Sequence, residues 1–356
     1  MLTANGGRKL ASLATIRQIN PIPGADAIEC AVVRSWPVVV GKGEYVEGDM
    51  VVHIEPDAAL PLSDPRFASL AARGSTTVDG EQYHVLKTVR LRGQLSQGIV
   101  YPARLFPELA DPDADIDEVL GVKLWEPPRP PVGADQKGPW DLGWLQKTDA
   151  ERVQNLSDEW LRSVDDGRWV ATEKIDGTSI TYAVGPDPDR GLRVYSRNWE
   201  LKTDDPDSTP MRLAAEQRVL GWMRANGVDA VQGEMFGAGI QANPLRMSGH
   251  HFAAFAAWEH QIAQGPFAHD RFDDLFAGWP QTTGDPLRTV PVLDLPFPRS
   301  VAEALGQADG MRSQINSSRL AEGIVWHHQG DAFYPELGGR LVFKAVSGAY
   351  LIKNNQ

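Results

Sequence analysis

Four prolines within five residues, Pro127-Pro128-Arg129-Pro130-Pro131, interrupt this 356-residue chain a little past its first third. Proline fixes φ and carries no amide hydrogen, so neither a helix nor an inner strand runs through such a stretch. The segment reads as a stiff extended linker. The chain therefore divides near residue 125, into an amino-terminal domain, 1–125, and a carboxy-terminal domain, 136–356, with the linker reaching about residue 135.

Between Lys9 and Pro107, short apolar or alternating runs are separated by turn signals such as Pro23-Gly24-Ala25-Asp26 and Glu47-Gly48-Asp49. The runs are Ala31 to Val33, Val38 to Val40, Met50 to Ile54, Tyr83 to Val89 and Gly98 to Tyr101. That pattern predicts a small β-barrel, of the OB type or another small-barrel type. Within it, the stretch from Lys87 to Gly98 is basic and free of acids. Strand alternation puts Arg90 and Arg92 on one face, as solvated surface or as phosphate contacts. Acidic residues gather instead in expected loops at 111–118 and 203–207.

Beyond the linker, Thr148 to Leu161 reads as a helix with Thr148 or Asp149 as N-cap and Glu151 in the first turn. Met211 to Ala225 reads as a second helix, closed by Asn226-Gly227. Strand signals occur at Arg168 to Ala171, Leu192 to Ser196, Val228 to Glu234, Phe252 to Trp258, Gly323 to His327 and Leu341 to Val346. The fold class expected for the whole chain is α+β: a β-barrel followed by a mixed domain with antiparallel sheets. There is no internal repeat and no Gly-x4-Gly-Lys-Ser/Thr P-loop, so any nucleotide is held by other means.

Composition agrees with two ordinary domains: 42% of residues are hydrophobic and 23% charged. Cys30 is the sole cysteine, which excludes internal disulfides and multi-cysteine zinc sites and fits a small buried hydrophobe in a reducing cytosol. The amino-terminal text lacks the apolar core of a signal peptide, and no apolar run approaches the length of a membrane span. A cytoplasmic protein without a membrane partner is expected. The net charge of −12 argues mildly against a nucleic-acid partner, although local charge matters more than the sum.

The chemistry-bearing text begins at Thr172-Glu173-Lys174-Ile175-Asp176-Gly177-Thr178-Ser179, a Lys-x-Asp-Gly box. A lysine amine attacks phosphorus only with its proton off. Asp176 is expected to share the strand face of Lys174 and to hold metal-bound water, and Gly177 to leave room for a nucleotide. In order downstream come Ser196-Arg197-Asn198, Gln232-Gly233-Glu234-Met235-Phe236-Gly237, Phe252-Ala253-Ala254-Phe255, Ala321-Glu322-Gly323-Ile324-Val325 and Leu341-Val342-Phe343-Lys344. The series resembles motifs I, Ia, III, IIIa, IV and V of the covalent nucleotidyltransferases, the superfamily of ATP-dependent DNA and RNA ligases and mRNA capping enzymes.

The amino-terminal text Ile22-Pro23-Gly24-Ala25-Asp26-Ala27-Ile28-Glu29, Val39-Val40-Gly41-Lys42-Gly43-Glu44 and Leu91-Arg92-Gly93 is similar to RNA ligase family five, as is Lys147 to Asn155. Members of that family seal nicks on a complementary strand and carry an amino-terminal OB domain before the nucleotidyltransferase domain. Only twelve residues of this sequence follow Lys344, too few for a carboxy-terminal OB domain.

The resemblance implies that Lys174 attacks the α-phosphorus of ATP, that AMP passes to an RNA 5′-phosphate, and that a 3′-hydroxyl displaces it. The implied partner is a nicked RNA or RNA/DNA duplex, with no obligate protein partner. It implies that Asp176 and Glu322 orient water on Mg2+ or Mn2+, and that Lys344 contacts the α-phosphate. Glu234 is implied at the ribose, Glu173 near the base edge, Ile175 and Gly177 beside the nucleotide, and Arg197 by the 5′-phosphate or the 3′-terminal nucleotide. Phe255 and Val325 are implied to sandwich adenine, with Phe252 a competing candidate. The paired histidines His250-His251 and His327-His328 read as structural, because neighbours on a strand face opposite ways.

Three positions depart from the family pattern. Val346 stands where many ligases have a second motif V lysine, so Lys353 or another cation is expected to replace it. Ala256 stands where Asp often follows the stacking Phe, and motif VI has no counterpart. The rival enzymes are a DNA ligase and a guanylyltransferase, disfavoured by domain order. The rival of another class is a noncatalytic RNA-binding protein on a ligase fold, against which the joint presence of Lys174, Glu234, Glu322 and Lys344 speaks.

Overall fold

Small and β-branched residues alternate with polar ones in Ser-Leu-Ala-Thr-Ile-Arg, and the chain buries Ala14 and Ile16 while exposing Leu13, Thr15 and Arg17. This is the centre of β1 (Ala11–Pro21), the longest strand of the molecule among the described residues. In the computed structural model these are residues 9–110, 115–125, 135–145, 147, 150–184, 191–259, 289–329, 333–334 and 339–354. The linker Pro127–Pro131 and the expected caps Thr148 and Asp149 lie outside them. The described residues of Gly7–Arg129, Gln154–Trp160 and Leu351–Gln356 form one compact unit, and those of Pro130–Val153 and Leu161–Tyr350 form another.

In the first unit β1 pairs along its first half with β4 (Met50–Ile54) and along its second half with β2 (Ile28–Val33), with a bulge between Ile16 and Gln18. With β3 (Trp36–Gly41) and β10 (Ile99–Pro102) they make a five-stranded antiparallel sheet in the order β10-β4-β1-β2-β3. A second sheet runs β11-β5-β7-β6, from β5 (Ala58–Pro61), β6 (Thr76–Val78), β7 (Glu81–Val85) and β11 (Lys123–Leu124). Trp36, Val38, Ala31, Ile16 and Val51 fill one core, and Phe67, Leu60, Ile54 and Phe106 another. Cys30 is buried, and desolvation pushes its thiol pKa up. The expected acidic loop is partly structural: Asp117 accepts hydrogen bonds from the backbone of Leu10 (2.8 Å) and Ala11 (2.6 Å).

Tyr83 to Val89 is not one strand, because β7 ends at Val85 and β8 (Val89–Leu91) forms a separate hairpin with β9 (Gln94–Ser96). That hairpin corrects the expectation for Arg90 and Arg92. Its two-residue turn is Arg92-Gly93, both at positive φ (49° and 85°), as the twist of a tight hairpin demands. Arg92 is thus a turn residue rather than a strand partner of Arg90, whose Nη1 donates to Gly93 O at 2.8 Å. Both arginines are exposed.

The second unit holds two sheets. One is a six-stranded antiparallel sheet, β12 (Gln136–Pro139), β17 (Trp199–Leu201), β16 (Arg193–Tyr195), β15 (Thr178–Ala183), β18 (Ala230–Gly237) and β19 (His250–Trp258), in that spatial order. The other runs β13 (Glu151–Arg152), β24 (Val342–Val346), β21 (Gly323–His328), β14 (Trp169–Lys174) and β20 (Val292–Leu293), with only β13 and β24 parallel. A small hairpin joins β22 (Phe333–Tyr334) to β23 (Gly339–Arg340).

Two helical expectations change. The chain from Thr148 to Leu161 does not form a helix from its expected cap, since Glu151 and Arg152 are buried in β13 and the helix is Asp158–Val164. The expected helix Met211–Ala225 is two helices, Thr209–Glu216 and Val219–Asn226, broken where Arg218 adopts φ 51°. Gly227 does close the second, at φ 66°. Leu213, Val219, Trp222 and Met223 from this pair pack on Ile180, Tyr182, Val231 and Phe252 of the six-stranded sheet.

Backbone approach locks the second sheet at Gly323, where a Cβ would lie 2.1 Å from Ala345 O. Gly323→Ala is expected to destabilise the protein by about 1–3 kcal/mol in chemical denaturation, through overpacking against β24. Gly306, within the helix Val301–Ala308, has nothing within 4 Å of such a Cβ. Gly306→Ala is expected to add about 0.5–1 kcal/mol, and equal effects at the two glycines would contradict the close-approach explanation.

Candidate active site

The two sheets of the second unit are joined by only three residues, Ile175-Asp176-Gly177, between β14 and β15. The Lys-x-Asp-Gly box is therefore the crossover itself. Asp176 lies beyond the end of β14, so it does not share a strand face with Lys174 as expected. Gly177 has a different reason to be glycine from the one expected: a Cβ there would sit 2.3 Å from Met235 O and 3.1 Å from Glu234 Cγ. The space is taken by β18, which brings the box against the strand carrying Glu234.

Register places the remaining groups. On the five-stranded sheet Lys174 pairs with Gly323, Thr172 with Val325, Val325 with Lys344, and Lys344 with Arg152. Directly paired residues share a face, so Lys174, Val325, Lys344 and Arg152 do. On the other sheet Ser179 pairs with Glu234. Lys174 Nζ donates to Glu322 Oε2 at 2.6 Å, and these side chains remain 23% and 11% exposed, open to an incoming molecule. Tyr350 Oη donates to Asp176 Oδ2 at 2.6 Å.

Charge defines the site. Burial pulls the Lys174 pKa down, but Glu322, Glu234 and Asp176 together outweigh it and the net direction is up. Desolvation raises Glu234, up to about 8, against the opposing pull of Lys174. Glu322 is raised too, by burial first, with Lys174 and Lys344 opposing and Asp176 adding. Three carboxyl groups thus crowd two lysines, and a divalent cation among them would favour their ionised forms. Among the described residues no group of three His, Cys, Asp or Glu side chains is assembled as a metal site. A magnesium ion keeps several waters and needs few protein carboxylates, and Asp176 and Glu322 fit that role.

Ile175 is buried with Phe236, Leu245, Ala253 and Val290, and Phe255 packs against this group. Phe255 falls in the β18–β19 bulge, where Gln232 pairs with Ala256 and Gly233 with Ala254. A bulge re-aims a side chain. Phe252 is 1% exposed, edge-on to Tyr182 in the helix-side core, so it does not reach the crossover. Glu173 pairs with Ile324, on the face opposite Lys174, and is buried. Its Oε2 accepts from Gln314 N at 2.7 Å, its Oε1 has no hydrogen-bond partner, and burial raises its pKa. That face is opposite the one Val325 shares with Lys174, so the structure does not bring Glu173 together with the residues expected at the base. Arg197 stands at the tip of the β16–β17 hairpin, partly buried. Arg90 and Arg92 belong to the other unit.

The paired histidines each have their own partner: His250 with Arg212, His251 with Ser248 O, His327 with Thr172, and His328 with Asp166. Lys353 is exposed in the helix Gly348–Asn354. Two neighbours of the site were missed in the sequence. Tyr350 carries no motif signal. Arg152 sits within the quoted family-like stretch, but its expected helix concealed the strand that sets it beside Lys344. No helix among the described residues is long and apolar enough to cross a membrane.

Comparison with known proteins agrees with this geometry. A family model described as an OB-fold domain matches residues 10–103, and the RNA ligase family model matches residues 167–346. A search of curated proteins finds no match. Among solved structures, the chain is similar to an aspartate-to-alanine variant of Naegleria gruberi RNA ligase in its apo form, at 33% identity and TM-score 0.82, covering 97% of each chain. A lysine-to-alanine variant of that ligase with ATP and Mn matches at 32% identity and TM-score 0.82, over 97% of this chain and 100% of the other. A lysine-to-methionine variant with AMP and Mn matches at 32% and 0.82, over 97% and 98%.

The raised Glu234 pKa makes stability depend on pH. Below the ordinary value of 4.5 both folded and unfolded states hold the proton. Between there and about 8 the unfolded state releases it while the folded state keeps it, so stability falls as pH rises through that window. Glu234→Gln is expected to flatten the decline measured by urea denaturation from pH 5 to 8, by up to about 1.4 kcal/mol per pH unit for one proton. An unchanged slope would show that Glu234 ionises normally.

Proposed function

The chain belongs to the RNA ligase family, and on that footing we propose that it is an ATP-dependent ligase that seals 3′-hydroxyl/5′-phosphate nicks in RNA-containing duplexes through a lysyl-AMP intermediate. The observation that carries the reading is the Lys174 amine, held at 2.6 Å by Glu322 in a site also faced by Glu234 and Asp176, at a crossover where two sheets converge.

In the first step the Lys174 nitrogen, once it has lost its proton, bonds to the α-phosphorus of ATP. The bond from that phosphorus to the bridging oxygen breaks, and pyrophosphate leaves. In the second, an oxygen of the RNA 5′-phosphate takes AMP from the lysine, restoring the amine. In the third, the 3′-hydroxyl oxygen attacks the activated 5′-phosphate, AMP departs, and the phosphodiester is complete. Each is an in-line transfer in which orientation and charge stabilisation dominate.

In this reading Lys344, register neighbour of Val325, holds the α-phosphate, and Arg152, paired with it, adds a second cation. Phe255 and Val325, in the same reading, flank the base. Glu234 meets the ribose, and Arg197 the nucleic-acid end. A divalent cation supplies charge neutralisation at the phosphates. Asp176 and Glu322 would hold it, and the charge neutralisation it would supply there would weaken the carboxylate field that favours the protonated Lys174 amine. A noncatalytic role would leave this clustering of partly buried ionisable groups without a use, since desolvating charge is costly.

Incubation with α-labelled ATP and Mg2+, then denaturation, is expected to leave label on the chain. Lys174→Ala should abolish that label with the fold intact, and residual adenylylation would overturn the assignment. Glu322→Ala should slow both lysine labelling and closure of a preadenylylated nick, and wild-type rates in both would remove it from the chemistry. Replacing exposed Arg90 and Arg92 together should weaken binding of nicked duplex and lower the salt slope by about one unit per lost phosphate contact. Unchanged affinity and slope would leave them as ordinary surface.

A further inference from the structure

We propose that Tyr350 is a positioning residue, which orients the Asp176 carboxylate at the metal-facing side of the site while Ser347 anchors the main chain at Glu322. The proposal rests on the ligase reading above, in which those two carboxylates serve a divalent cation. Tyr350 is 1% exposed, and its hydroxyl donates to Asp176 Oδ2 at 2.6 Å. Ser347, fully buried, donates its backbone N–H to Glu322 O at 2.9 Å. One short stretch after β24 therefore grips motif I through a side chain and motif IV through the main chain.

The stretch is itself fixed. Ser347 Oγ accepts from Tyr350 N (3.1 Å) and from Gly310 N (3.2 Å), and donates to Asp309 Oδ1 (3.2 Å). Asp309 Oδ1 also accepts from Ala349 N at 2.8 Å. These bonds tie the first turn of Gly348–Asn354 to the end of the helix Val301–Ala308. The Tyr350 ring is held by this turn, so its hydroxyl orients the carboxylate of Asp176, which lies in the crossover beyond the end of β14. Hydrogen bonds to a ligating carboxylate orient it and tune its affinity, and their loss costs about 10–100-fold in metal affinity or activity.

Tyr350→Phe deletes the oxygen and keeps the buried ring. Mn2+ is titrated against the ATP-bound protein, with water-proton relaxation as readout, and lysine adenylylation is followed across the same Mn2+ range. The expected result is a melting temperature near wild type, Mn2+ half-saturation weakened about tenfold or more, and a lower adenylylation kcat with little change in KM for ATP. In an Asp176→Ala background the same substitution should shift Mn2+ binding no further. Unchanged Mn2+ half-saturation in Tyr350→Phe, or an equal shift in the Asp176→Ala background, overturns the proposal. Should Tyr350→Phe fail to fold, Asp309→Ala keeps ring and hydroxyl and removes the acceptor that fixes the turn. A smaller shift in the same direction supports the proposal, and none overturns it. Wild-type protein that takes no label from ATP defeats the ligase reading itself, whereas normal labelling in both wild type and Tyr350→Phe defeats only the role of Tyr350.

Discussion

The three-residue crossover from β14 to β15 is the constraint on which the site depends. The chain leaves one sheet at Lys174 and enters the other at Thr178, so the residues between must span the gap while β18 presses against them. Met235 O occupies the space where a Cβ on Gly177 would be. Once that contact is made, register does the rest. Lys174 opposite Gly323 brings Glu322 to the amine, and Ser179 opposite Glu234 brings the third carboxylate from the other sheet. A one-residue slip in either ladder would turn these side chains to the wrong face.

The electrostatic consequence is a site held away from its own optimum. Buried carboxylates with raised pKa values and a lysine held protonated by them are each poorly solvated, and each makes the other tolerable. The Lys174–Glu322 pair at 2.6 Å is what couples them, so a change of charge on one group alters the protonation of the other.

The groups whose chemistry demands one residue type were legible in the sequence: Lys174, Glu234, Glu322 and Lys344 announce themselves by identity and order. Groups defined by where the backbone turns were not. Arg92 looked like a strand residue because its neighbours alternate, but a type I′ geometry at Arg92-Gly93 claims it. Glu151 and Arg152 looked like the exposed start of a helix, since burying two adjacent charges is the less expected outcome. The motif alone prefers Phe255 to Phe252, and it is the bulge that sets Phe255 against the Ile175 cluster while Phe252 stays in the core. Tyr350 lies far along the chain from Asp176, and no local pattern encodes a pairing of that range.

The missing second lysine of motif V shows how register substitutes for sequence. Val346 is 5% exposed and pairs with Gly323, where Cβ space is already contested by β24. A residue two places along a strand from Lys344 lies about 6.6 Å from it, whereas the partner on a neighbouring strand lies about 4.8 Å away. Arg152 is that partner, in parallel register on β13. A cation there stands nearer to Lys344 than one at 346 could, and it adds a planar guanidinium suited to phosphate oxygens. Lys353, exposed in the last described helix, has no comparable placement. The sheet order thus sets a cation beside Lys344 from the neighbouring strand, a placement the sequence does not display.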